Sequence, residues 1–249
     1  MKLTENARAY HDRMFPNYES KVAKTDPEFI ERFDNFAFDE VVNEEGQVLD
    51  DRTRFISHLA VFMGCQGIDE YRLMLPAALR MGVSPVEVKE IVYQAVDYLG
   101  MARVFPFLTA TNEIFVNEGI SPALEGQATT TMEDRLEKGE AVQTAIFGDH
   151  MKGFANSGPE EIRHINRWLV SNCFGDFYTR TGLEMKEREM ITFCFLYAQG
   201  GCEPQLISHI KANIHVGNDK QYLIKIISNN VPFIGYPRTL NALRCVQEA

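Results

Sequence analysis

The chain has 249 residues, 45% hydrophobic and 24% charged, which suits a buried core and excludes disorder as the main state. Its 35 acidic side chains outnumber 25 Lys and Arg, giving a net charge of −10. That balance argues against a nucleic-acid binder or a basic membrane-surface protein, because both present cationic faces to phosphate.

In chain order, the opening stretch MKLTENARAYHDRMF lacks the apolar centre of an export signal. Asp26-Pro27-Glu28 reads as a helix start. The longest apolar runs, such as Leu59 to Cys65, fall far short of the roughly 20 residues a membrane-spanning helix needs. Gly82 can close one helix, and Ser84-Pro85 with Glu87 opens the next as a capping box. That helix carries Val88, Ile91, Val92, Ala95 and Leu99 at helical spacing. Residues 123–133 are polar, and Gln127 to Thr131 is the most linker-like part. Gly158-Pro159-Glu160 reads as another helix start, and Gly200-Gly201 with Pro204 places one at Cys202. No alternating run or Asn-Gly or Asp-Gly hairpin demands a strand, so the prediction is all-α. The five cysteines are odd in number and scattered, which points to reduced thiols in the cytoplasm.

A shift of 135 lays residues 52–113 on 187–248 without a gap. Gly82, Gly100, Arg103 and Leu108 then meet Gly217, Gly235, Arg238 and Leu243, and the apolar stripe matches as well. Glycines between helices that coincide along with the stripe indicate a repeat. The reading is two similar helical halves, residues 1–122 and 133–249, joined by a linker at 123–132.

The second half carries Asn172-Cys173-Phe174-Gly175-Asp176, then Arg180-Thr181-Gly182-Leu183, Arg188-Glu189-Met190-Ile191, His209 with Ala212 and Gly217, and Gly235-Tyr236-Pro237-Arg238. This ordered set resembles the carboxymuconolactone decarboxylase family, which includes the alkylhydroperoxidase-type proteins. The resemblance implies an all-helical fold, cofactor-free chemistry, a small carboxylate substrate, and homo-oligomers, here a trimer acting as a pseudo-hexamer. One family branch decarboxylates gamma-carboxymuconolactone. Another reduces peroxides through a Cys-x-x-Cys-x-x-x-His site. Here Cys202 stands for the first cysteine, but Gln205 stands for the second, and Phe174 and Thr181 replace a family Trp and Pro.

Cys202, Gln205 and His209 fall on one helical face. His209 is the candidate proton carrier because an imidazole titrates near neutral pH. Cys202, at a helix start, is the candidate thiolate. Glu189 stands about where the peroxidase branch has its proton-relay glutamate. Each also has a plain structural reading: a hydrogen-bonded core histidine, a small joint residue and an exposed glutamate beside Arg188. Cys194 and Cys245 fall on apolar stripes and read as core. In the first half Arg54, Gly67, Glu70 and Met74 occupy the places of Glu189, Cys202, Gln205 and His209, so the histidine site is absent there. Cys65 and Glu70 could instead face the second half's pocket, and Arg103 or Arg238 could hold a substrate carboxylate. No spacing suggests a metal site, and neither nucleic acid nor membrane is expected as a partner.

Overall fold

The computed structural model describes residues 2–16, 20 and 22–249, and among these there is helix and no strand. The first half runs through α1 (Glu5–Met14), α2 (Val22–Thr25), α3 (Pro27–Asn35), a π-helical turn at Phe36–Glu40, α4 (Val41–Asn43), α5 (Asp51–Gly64), α6 (Ile68–Arg80), α7 (Pro85–Leu99) and α8 (Met101–Asn117). The second runs through α9 (Arg135–Phe147), short 3-10 turns, α10 (Arg163–Trp168), a π-helical stretch at Leu169–Tyr178, α11 (Met185–Gln199), α12 (Glu203–His215) and α13 (Lys220–Glu248).

The local signals act as chemistry dictates. Ser84 Oγ accepts from the Glu87 amide while Glu87 accepts from the Ser84 amide, completing the box that starts α7. Gly100 (φ 78°) separates α7 from α8, and its counterpart Gly235 (φ 72°) bends α13 at the same place. The positive φ is nearly free for glycine and costly for other residues, which accounts for glycine at both joints.

The repeat is thus structural: α5, α6, α7 and α8 correspond to α11, α12 and the two limbs of α13. It also reaches further back than residue 52. The shift carries Phe36–Glu40 into Leu169–Tyr178, so the π-helical geometry recurs too.

The halves share one core. Helices α5 and α11 lie against each other at its centre, each largely buried. α11 also packs on α7, and α5 on α13, so each half braces the other. Buried polar groups fix these crossings. Arg188 on α11 donates to Glu90 (3.0 Å) and Gln94 (3.2 Å) on α7. Arg54 on α5 donates to Asn229 (2.9 Å) on α13. A smaller cluster of Ile146, Cys173, Phe174, Tyr178 and Ala212 sits under α9. The polar stretch between the halves lies on the second one, where the Thr129 and Thr130 hydroxyls donate to the Thr179 and Gly175 carbonyls.

Candidate active site

The turn at Gly200-Gly201 lets α12 fold back along α11, with Cys202 as its N-cap residue. This brings two side chains from successive helices together: His209 Nδ1 lies 2.8 Å from Glu189 Oε2. Glu189 is fully buried and His209 is 8% exposed. The plain reading of Glu189 as an exposed glutamate beside Arg188 is therefore wrong, and Arg188 is itself buried. Packing of α11 against the first half covers both, which periodicity within one helix could not reveal. Asn213 Nδ2 ties the two helices by donating to the carbonyls of Glu189 (2.9 Å) and His209 (2.8 Å). With the carboxylate accepting from Nδ1, the ring's Nε2 is left for a ligand. Tyr98 and Phe147 hold the imidazole edge-on, at ring-centroid distances of 5.5 and 5.2 Å.

His209 lines a cavity of about 470 Å³ built by both halves. α7 contributes Asp97 and Tyr98, α9 contributes Gln143 and Phe147, and α12 contributes Cys202, Gln205 and Ser208. Leu169, Phe174 and Leu196 make apolar walls. Tyr98 is pinned by a chain of hydroxyls: 2.7 Å to Tyr178, then 2.5 Å from Tyr178 to Thr192, which accepts from Gln94 at 2.9 Å. Burial, reinforced by the charge of Asp176, pushes the Asp97 carboxyl up to about 8, against a hydrogen bond from Cys173 that favours ionisation. Asp97 is therefore a neutral acid at pH 7, able to donate a hydrogen bond. Asp97 Oδ2, Gln143 Oε1 and Glu189 Oε1 are buried without a hydrogen-bond partner among the described residues. Unpaired buried oxygens are costly; Asp97 and Gln143 line the cavity and Glu189 stands behind its His209 wall, which marks the cavity as a place for a polar ligand.

Among the sequence candidates, the structure brings Glu189, Cys202, Gln205 and His209 together. Cys202 differs from expectation in chemistry. Its Sγ donates to the Leu196 carbonyl at 3.4 Å, and burial with the neighbouring Glu203 charge pushes its thiol up. Desolvation thus outweighs the helix-start dipole. Neither arginine lines the cavity. Arg238 donates to the Ala198 carbonyl, and Arg103 only approaches Gln199 Oε1 at 3.5 Å. Cys65 and Glu70 do not join the cavity either. Cys65 Sγ turns to the Phe62 carbonyl at 3.6 Å, and Glu70 lines a separate cavity in its own half. Cys194 is buried beside Met190, as its apolar stripe predicts.

Asp97, Tyr98 and Gln143 escaped the sequence reading. One signal was available for Asp97: an acid in the last turn of a helix opposes the dipole and needs a reason to be there. Nothing in the spacing connects it to His209, over a hundred residues away. Among the described residues, no group of three or more His, Cys, Asp and Glu is arranged to hold a metal ion. No helix of these residues is long and apolar enough to cross a membrane.

The model of the carboxymuconolactone decarboxylase family matches residues 27–113 and 163–248. The two matches cover most of the chain and end one repeat apart. No curated protein matches the chain significantly.

Proposed function

The chain belongs to the carboxymuconolactone decarboxylase family as a tandem two-copy member, and we propose that its second copy is a cofactor-free decarboxylase in which Glu189 and His209 move the proton. The observation that carries this reading is the buried 2.8 Å contact between them at the wall of a cavity. The substrate class is a small carboxylated lactone or related carbonyl acid. The bond to the carboxylate breaks, carbon dioxide leaves, and the electron pair passes to the carbonyl as an enolate. The Glu189 carboxylate supports an imidazolium, which returns a proton to carbon through Nε2. The protonated Asp97 is the donor placed to hydrogen-bond the enolate oxygen. No Arg or Lys among the described residues lines the cavity, so Gln205, Ser208 and the imidazolium are the groups left to meet the carboxylate.

The test is incubation with gamma-carboxymuconolactone in deuterated water, followed by NMR. Loss of the carboxyl group with one deuteron placed on carbon, slowed about 100-fold or more by His209→Ala, is the expected result. An undiminished rate in the folded variant would overturn it.

A second reading, a thiol peroxidase working through Cys202, has one observation in its favour: Cys202 lines the same cavity as His209. In that chemistry the Cys202 thiolate takes an oxygen from the peroxide. An external thiol condenses with the sulfenic acid, releasing water, and a second external thiol reduces the mixed disulfide. The raised Cys202 thiol ranks this reading second. All five cysteines are free, which supports a reducing compartment such as the cytoplasm.

Self-association, a trimer by family resemblance, is part of the proposal. Met101 and Phe105 on α8 are 46% and 56% exposed, and their repeat partners Tyr236 and Leu240 are both 63% exposed. The same bare apolar pair at equivalent places suits contacts that repeat around a ring of copies.

A further inference from the structure

The first copy has a cavity of its own, of about 360 Å³. Four of its lining residues, Asp34, Glu70, Leu73 and Met74, are the repeat partners of Leu169, Gln205, Ser208 and His209, all of which line the other cavity. The two cavities are therefore counterparts, with altered chemistry. Met74 cannot carry a proton. Arg54, in the place of Glu189, is spent elsewhere: it donates to Tyr10, Asp51, Asn229 and the Leu49 carbonyl. The proton-transfer pair has gone.

Two carboxyl groups have come in its place. Asp34 is only 7% exposed, yet it faces the cavity with no hydrogen bond or ion pair to any described residue. Glu70 also lines the cavity and also lacks such a partner. Burial pushes both carboxyls up, and the Asp34 charge pushes Glu70 up further. Among the described residues the basic group at the wall is His11, which favours the ionised form of Asp34 and lies 3.9 Å from Asp12 on its own helix. Apart from Ser20, the other lining residues are apolar or aromatic, with Phe33 and Phe38 edge-on at 6.2 Å.

We propose that this cavity binds an apolar organic ammonium, its hydrocarbon body among Phe33, Phe38 and Met74 and its cationic head on the Asp34 and Glu70 carboxylates. An ammonium supplies a full counter-charge and the hydrogen-bond donors that no described residue gives the two acids. Phenyl rings beside it add cation–π attraction. A carboxylate ligand of the same shape meets two like charges and is rejected. The second copy's cavity has neither acid at these positions, so the two copies would select ligands of different charge. The inference stands apart from the proton-transfer reading, because it uses none of that site's residues.

Isothermal titration calorimetry of the full chain with phenethylamine, and with 3-phenylpropionate as its acidic counterpart, tests it. Phenethylamine is expected to bind one per chain at a dissociation constant of about a millimolar or tighter, and the acid not at all. Asp34→Asn and Glu70→Gln preserve shape, and each should weaken phenethylamine at least about tenfold. Glu70 is only partly buried, so Glu70→Gln serves if the Asp34 variant fails to fold by circular dichroism. Equal binding of the acid, unchanged affinity in a folded Glu70→Gln protein, or loss of binding on Gln205→Leu instead would overturn the proposal.

Discussion

Arg52 and Glu187 occupy equivalent positions in the two copies and bind each other, Nη2 to Oε1 at 2.7 Å. Equivalent residues can meet only where the axis relating the copies passes between them, so this pair marks that axis at the start of α5 and α11. Arg52 also pairs with Glu87, which caps α7. The cluster is partly exposed, so its worth is small. Arg52→Ala should lower stability by about 1 kcal/mol, and less at high salt. Urea melts at two salt concentrations, with Glu187→Ala to complete a double-mutant cycle, measure it.

Repeat symmetry supplies an internal control for the active site. Met74 stands where His209 does, and it is buried. Met74→Leu conserves volume and should cost under about 1.5 kcal/mol with little change in turnover. His209→Ala should remove most turnover and destabilise by about 1–3 kcal/mol, because it leaves buried Glu189 without its partner. Paired rate and melting measurements check both. Full turnover in His209→Ala would move the chemistry elsewhere.

Stability should depend on pH in two opposed ways. Asp97 is raised from 3.8 to about 8, so between those values the folded chain keeps a proton that the unfolded chain has lost. Its contribution is fully present below pH 4 and is lost as pH rises toward 8. His58 is lowered by burial from 6.5 to about 3, against the 2.8 Å contact with Asn230, which favours the charged ring. Its contribution is present above 6.5 and lost as pH falls toward 3. Asp97→Asn should flatten the upper window and His58→Phe the lower one, in denaturant melts from pH 4 to 9. An unchanged upper window in Asp97→Asn would mean that Asp97 is ionised in the folded protein.

Gly139 and Gly175 let α9 lie directly on the π-helical stretch that walls the cavity. A Cβ at Gly139 would overlap the Val170 carbonyl oxygen, and one at Gly175 the Arg135 carbonyl oxygen. Backbone cannot yield as a side chain tip can. Gly139→Ala should therefore destabilise by about 1–3 kcal/mol and loosen the Gln143 and Phe147 wall. A thermal melt reads the first effect, and hydrogen exchange along α9 reads the second.

The exposed pairs Met101–Phe105 and Tyr236–Leu240 should be covered in solution. Sedimentation of the wild-type chain at micromolar concentration is expected to give a multiple of 28.4 kDa. Phe105→Glu with Leu240→Glu should return it to a single chain without loss of helix. A wild-type mass of one chain would refute the assembly.

The sequence by itself determined the helices, the two copies and the trio Cys202, Gln205 and His209. Caps, joint glycines and apolar spacing are local properties, readable within a turn or two, and the repeat states them twice. The tertiary structure decided what local pattern cannot carry. Glu189 reads as an exposed acid on its own helix, and only the packing of α11 on the first half removes its water and hands it to His209. Asp97 joins His209 because α7 crosses from the other copy, and burial there makes it a neutral acid. Cys202 kept its predicted place but not its predicted character, since desolvation overrides the dipole of its helix. Arg103 and Arg238 share a repeat position that looked functional, yet their side chains go to Gln199 and the Ala198 carbonyl instead of the cavity. Charge, burial and partner depend on which distant segments arrive at a residue, and that is settled by the packing of one copy against the other.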